Sequence, residues 1–278
     1  ASNIIQYCKT PETAKNKESF AEQITDAEAY SFDDSLGFSL MEEPERIYEE
    51  VIKNEKVIGT GVKARDDLVK GGFHEKSLTL LLAPTNVGKT LMMCYLSANM
   101  TLAGHKVLYI TFEDSENQIG QRVTQNLLDL NRDELKAMSR EDYRKCWDAH
   151  RSLIKHNLYI KEFPEMATNA LNIKAYLKEL KERKRFMPDI VFVDYIGCMI
   201  PNGRENPNIN SNTRLLTIAA QVRSISMTEG YPFVSGAQVN RSGYSSDHVS
   251  LSDAADSFGQ TMKADAILAI TQPEDYLD

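Results

Sequence analysis

Five residues of strand character, Leu78-Thr79-Leu80-Leu81-Leu82, run without a break into Ala83-Pro84-Thr85-Asn86-Val87-Gly88-Lys89-Thr90, and a helical stretch begins at Lys89. Nothing else in the chain limits its fold so strongly. A strand, a short loop ending in Gly-Lys-Thr and a helix form the P-loop, or Walker A, context. There, successive backbone N–H groups and the positive end of the helix make a cradle for phosphate. In such a cradle Gly88 lets the backbone approach closely and Lys89 reaches the β- and γ-phosphates. The Thr90 hydroxyl ligates magnesium, and Leu91 completes the segment around the nucleotide. The expected ligands are therefore ATP, or another nucleoside triphosphate, and Mg2+. One departure stands out: the first position of GxxxxGK[ST] is Ala83, not glycine.

From Ser77 onward, short apolar runs alternate with helical periodicity. The predicted strands are Leu78–Leu82, Val107–Phe112, Leu158–Glu162, Ile190–Val193, Phe233–Ser235 and Ala266–Ile270. The predicted helices are Lys89–Leu102, Glu116–Leu128, Arg140–His156, Ile173–Lys184 and Thr213–Thr228, the second opened by a Ser115/Gln118 capping box. Several strands are apolar on both faces, as strands buried between helix layers must be. Repeated strand–helix–strand units imply right-handed crossovers and a mostly parallel α/β sheet flanked by helices. Ligands of such sheets bind at the carboxyl ends of the strands.

Three side chains at those ends fit the chemistry of a triphosphate. Asp194 closes Ile190-Val191-Phe192-Val193 about a hundred residues after Lys89 and suits a Walker B aspartate that holds magnesium directly or through water. Glu113 follows Val107-Leu108-Tyr109-Ile110-Thr111-Phe112 and would emerge beside the P-loop if the two strands straddle the site, as a base for the attacking water. Asp114 competes for that role, and one residue of register decides between them. Gln238, after Phe233-Val234-Ser235, offers an uncharged amide that could sense the γ-phosphate.

The net charge of −8 argues neither for nor against a nucleic-acid partner once it is located. Residues 1–50 hold twelve acidic and four basic residues, which accounts for all of it, and the other 228 residues balance at 28 of each. A neutral body can still carry a local basic surface. Residues 1–56 are polar and acidic, with an amphipathic helix expected near Met41–Asn54 that places Ile47, Val51 and Leu40 on one side. They read as a linker arm that docks on the main domain or a neighbouring subunit, and 57–278 as the main domain. No apolar run approaches the ~18–20 residues of a membrane span, and no secretory leader is visible. The cysteines Cys8, Cys94, Cys146 and Cys198 show no metal-ligand spacing. Neither a disulfide nor zinc is expected, and a cytosolic compartment fits.

Taken together, the entry segment GTGVKARDDLVKGGF, the alanine-first P-loop, VLYITFED, IVFVDYIG, GAQVNRSG and LSDAADSFGQTMKADAIL resemble a known family over roughly Gly59–Ile270. This is the RecA-like ATPase domain of DnaB-type hexameric replicative DNA helicases, and in detail the T-even-phage kind. The resemblance implies a homo-hexamer around single-stranded DNA, with ATP between neighbours and a primase or loader as further partners. It assigns Lys89 and Thr90 to nucleotide and magnesium, Glu113 to base catalysis, Asp194 to Walker B and Gln238 to γ-phosphate sensing. Two DNA-tracking loops would be Pro201–Asn212, with Arg204, Asn206 and Asn208, and Ser242–Lys263, with Ser257, Gly259, Gln260 and Lys263. The second loop is acidic at Asp247, Asp253 and Asp256, so backbone N–H groups would carry more of its contact with DNA than side-chain charge. The family's arginine finger would fall beyond Asp278, and a phage origin would place the protein in the bacterial host cytoplasm. A RecA-like recombinase and a clock or signalling P-loop ATPase without nucleic acid are the competing readings.

Overall fold

A computed structural model describes residues 37–52, 57–62, 66–67, 71–84, 87–154, 158–203, 209–238 and 261–270. The chain divides into two units, Ala1–Asn54 and Glu55–Asp278. In the first, helix α1 spans Pro44–Ile52 and buries none of its residues; Ile47, Val51 and Ile52 are exposed. It starts three residues later than the pattern predicts because Pro44, whose fixed φ and missing N–H suit the first helical turn, sets the boundary. The guanidinium of Arg46 lies 4.4 Å from the centre of the Phe38 ring.

The second unit opens with a two-stranded antiparallel ribbon, β1 (Val57–Ile58) and β2 (Phe73–His74), that the sequence pattern misses because each strand is two residues long. The main sheet follows: β3 (Leu78–Ala83), β4 (Val107–Thr111), β5 (Leu158–Glu162), β6 (Ile190–Asp194), β7 (Phe233–Gln238) and β8 (Ala266–Ala269). Its order is β5-β4-β6-β7-β3-β8 and every pairing is parallel. The interleaved helices are α2 (Lys89–Leu102), α3 (Glu116–Leu128), α4 (Arg132–Ala137), α5 (Arg140–Ile154), α6 (Ala170–Lys184) and α7 (Ser211–Glu229).

Alternate residues of each strand enter two separate cores, as a period of two requires. Leu78, Leu80, Leu82, Leu108, Ile110, Val191, Val193 and Phe233 pack on one face with Ile173 and Leu177 of α6 and Ile218 and Val222 of α7. Leu81, Val107, Tyr109, Ile190, Phe192 and Val234 pack on the other with Met93 and Leu96 of α2 and Ile119 and Val123 of α3. The double burial is why these strands read as continuous apolar runs.

Element boundaries follow local chemistry. The Ser115/Gln118 capping box opens α3 as the sequence implies. Two unpredicted boxes, Asn131/Glu134 and Asn169/Asn172, open α4 and α6, and the second moves α6 back to Ala170. Asn210 caps α7 by accepting a 2.7 Å hydrogen bond from the Thr213 N–H, so Asn212 belongs to a helix and not to the long loop expected over 201–212. β7 runs three residues past its expected end at Ser235. Gly236 and Ala237 are weak strand formers, yet pairing with β3 extends through Ala83↔Gln238.

Candidate nucleotide site

The carboxyl ends of β3, β4, β6 and β7 meet at one sheet edge, where a cleft of about 280 Å³ is lined by Pro84, Gly88, Lys89, Thr90, Leu91, Glu113, Asp114, Arg122 and Gln238. Gly88 caps α2 in the left-handed region, φ 91° and ψ 28°, a conformation that costs glycine little and other residues more. Its carbonyl accepts from the Met92 N–H at 2.9 Å and starts the helix. Ala83 ends β3 beside Gln238, and the Val87 N–H donates to the Pro84 carbonyl at 3.4 Å across the loop. Thr85 and Asn86 lie outside the described residues.

β3 and β4 straddle the site, as the placement of Glu113 beside the P-loop required. β3 and β4 do not adjoin, because β6 and β7 stand between them. The predicted residues therefore come to the edge from four strands: Lys89 after β3, Gln238 at the end of β7, Asp194 at the end of β6 and Glu113 after β4. Parallel crossovers put the middle two there from more than a hundred residues away.

Lys89 is buried, and its ammonium lies 4.2 Å from the centre of the Tyr195 ring. Its aliphatic stem crosses Gly236 so closely that a Cβ at that glycine would stand 2.5 Å from Lys89 Cδ. Ser235 ties the next strand in: its hydroxyl donates to the Val193 carbonyl at 2.8 Å and accepts from the Ile196 N–H at 3.1 Å. Asp194 is buried, its Oδ2 accepting from the Tyr109 hydroxyl at 3.2 Å, while Oδ1 has no hydrogen-bond partner among the described residues.

The two candidate bases are placed differently. Asp114 forms an ion pair with Arg122 of α3, and its carbonyl accepts from the Thr111 hydroxyl at 2.8 Å. Glu113 has the Cys198 thiol 4.0 Å from Oε1. Burial pushes its carboxyl above the ordinary carboxylate range. The Lys89 ammonium pulls the other way, and the negative charges of Asp194, Glu165 and Asp114 add to the rise. The arrangement thus places a cation and a helix N-terminus beside a carboxylate whose proton affinity is raised.

A magnesium ion fits this donor set. A buried carboxylate oxygen left without a donor is costly, and a hard cation or its water removes that cost. Among the described residues no group of three or more His, Cys, Asp or Glu is placed to hold a metal. Magnesium is bound through one or two side chains together with phosphates and water.

Four residues of the site escape sequence reasoning: Tyr109, Arg122, Tyr195 and Gly236. The only local signal is a hydroxyl-bearing Tyr109 inside a buried strand, which must find a partner. Of the residues expected to meet DNA, Arg204, Asn206, Asn208, Ser257, Gly259 and Gln260 lie outside the described residues. Lys263 is exposed on the turn before β8.

A parallel sheet with this strand order and a P-loop between its first strand in the chain, β3, and the helix that follows define a RecA-like P-loop domain. The same fold occurs in a solved ATPase domain, with a TM-score of 0.72 over 87% of this chain and 86% of that one, at 19% identity. It occurs again in a DnaB-like replicative helicase whose structure was described with its interactions with primase, with a TM-score of 0.70 over 100% of this chain and 65% of that one, at 19% identity. Residues 58–278 match the DnaB-like helicase C-terminal domain model, and the chain belongs to that family. It is 30% identical over 254 residues to the DnaB-like replicative helicase of Enterobacteria phage T4, covering 88% of this chain and 52% of the relative. With the replicative DNA helicase DnaB of Helicobacter pylori J99 it shares 27% over 218 residues, 76% of this chain and 43% of the relative. The chain spans about half the length of these curated relatives.

Proposed function

We propose that the chain is the motor of a replicative DNA helicase that couples ATP hydrolysis to movement along single-stranded DNA and separation of the duplex. The observation that carries this reading is the cleft that Lys89, Glu113 and Gln238 line at the sheet edge where β6 ends in the buried Asp194, in a chain of the DnaB-like family. Lys89 and the N–H groups at the start of α2 bind the phosphates. Glu113 orients the attacking water and takes its proton on a carboxylate oxygen, and Asp114, engaged by Arg122, is left out of that step. The Gln238 amide donates to the γ-phosphate and carries its loss into the segment that follows β7. Thr90 and Asp194 would hold magnesium, which would supply neutralisation of charge on the phosphate oxygens.

Six copies forming a ring, with 1–56 as the linker arm that docks on a neighbour, complete the reading, together with a primase or loader as partner. The segments 201–210 and 242–263 meet the DNA backbone, through Arg204, Asn206, Asn208, Ser257, Gly259, Gln260 and Lys263. Among the described residues no helix is long and apolar enough to cross a membrane, and the cytoplasm of a bacterial host is the proposed site of action. A forked DNA substrate tests the function. ATP-dependent strand separation is expected. Turnover stimulated by single strands without separation would favour a filament-forming recombinase, and turnover indifferent to DNA a P-loop ATPase of another kind.

A further inference from the structure

Tyr109 is fully buried in the middle of β4, stacked on Phe192 with ring centroids 6.1 Å apart and planes 13° from parallel. Its hydroxyl reaches across to the neighbouring strand and donates to Asp194 Oδ2 at 3.2 Å, while the Cys94 thiol of α2 stands 3.9 Å from the Tyr109 hydroxyl oxygen. A carboxylate on one rotatable bond can offer either oxygen to the cleft. Here one oxygen is occupied from inside the core and the other, Oδ1, is left without a donor among the described residues.

The geometry points to Tyr109 as a positioning residue for the metal: by holding Oδ2, its hydroxyl leaves Oδ1, buried at the end of β6 and without a donor among the described residues, as the Asp194 oxygen that takes the metal. This rests on the reading of Asp194 as the magnesium acid. Partners that fix a ligand from behind set its orientation, and their loss typically costs about 10–100-fold in metal affinity. The Tyr109 ring is packing and its hydroxyl is the functional part, so the two roles separate in one substitution.

The test is Mn2+ binding to the ADP-loaded chain, followed by electron paramagnetic resonance, with metal-free ADP affinity and thermal melting measured alongside. Tyr109→Phe keeps the stack on Phe192 and is expected to weaken Mn2+ binding about 10-fold while metal-free ADP affinity stays unchanged. Asp194→Asn is expected to weaken it at least as much. Cys94→Ala, which opens space in the same part of the core but leaves the Tyr109–Asp194 bond, is expected to keep the wild-type Mn2+ affinity. If Asp194→Asn weakens the metal and Tyr109→Phe does not, the positioning role is wrong and the metal site stands. If Cys94→Ala weakens it as much as Tyr109→Phe, the effect is core packing and the role is equally overturned. If Asp194→Asn itself has no effect, the reading of the site fails and this inference with it.

Discussion

The stem of Lys89 lies directly over Gly236, with room there for a hydrogen atom and for nothing larger: an added Cβ would stand 2.5 Å from Cδ and 2.7 Å from Cε. The absent side chain on the β7 strand is thus what makes room for Lys89 in the proposed phosphate site. The atoms in the way belong to a flexible side chain, so Gly236→Ala is expected to move Lys89 before it disturbs the sheet. The KM for ATP should rise about tenfold, equivalent to about 1.4 kcal/mol, with the melting temperature little changed. Nucleotide titration and a thermal melt on the same sample check this.

Glu113→Gln is expected to leave nucleotide binding intact and to lower turnover by about 10²–10⁴-fold, the usual contribution of a positioned base. Asp114→Asn should behave differently, because Asp114 is engaged by Arg122. The pair is partly exposed, so its loss should cost about 1 kcal/mol or less of stability and only a small part of turnover. Steady-state kinetics on both variants decide the matter; the reverse order of effects would hand the base to Asp114.

Activity should fall in acid at a higher pH than an ordinary carboxylate would give. Burial and the charges of Asp194, Glu165 and Asp114 raise the Glu113 carboxyl against the pull of Lys89, and only its ionised form accepts a proton from water. Turnover is therefore present above that raised pKa and lost as pH falls through it. The pH dependence of kcat reports the position of the limb.

Asp265, just before β8, accepts from the Leu78 N–H at 2.9 Å and from Arg223 of α7 at 2.7–3.2 Å. Burial alone would raise its carboxyl, but Arg223 and the Leu78 N–H outweigh it and hold it below the usual range. A depressed carboxylate stabilises the fold above its unfolded pKa, about 3.9, and loses that contribution as pH falls through the folded value. With the pair about a third exposed, Asp265→Asn should cost about 1 kcal/mol near pH 7 after allowance for solvent screening. The gap to wild type should narrow below about pH 4. Denaturant unfolding at the two pH values measures it.

Much of this architecture was legible in the chain. Double-sided apolar runs announced the buried parallel strands, and the helices Lys89–Leu102 and Glu116–Leu128 were bounded by the P-loop and a capping box, both local signals. Strand order was not legible, since β6 and β7 insert between β4 and β3 through contacts between segments far apart in sequence. For the same reason Lys89, Glu113, Asp194 and Gln238 could be named one by one, whereas Gly236 under Lys89 and Tyr109 behind Asp194 emerge only when the strands are laid side by side. The Glu113/Asp114 ambiguity was of the same kind. A one-residue register turns on where Arg122 falls, two turns into the next helix.

ATP turnover with and without single-stranded DNA, for the wild type and for Lys89→Ala, tests the central claim most directly. Hydrolysis by the wild type that rises when a single strand is added, and its loss in Lys89→Ala, is the expected result. Undiminished hydrolysis by Lys89→Ala would contradict the nucleotide site, and wild-type hydrolysis indifferent to single strands would contradict the motor built on it.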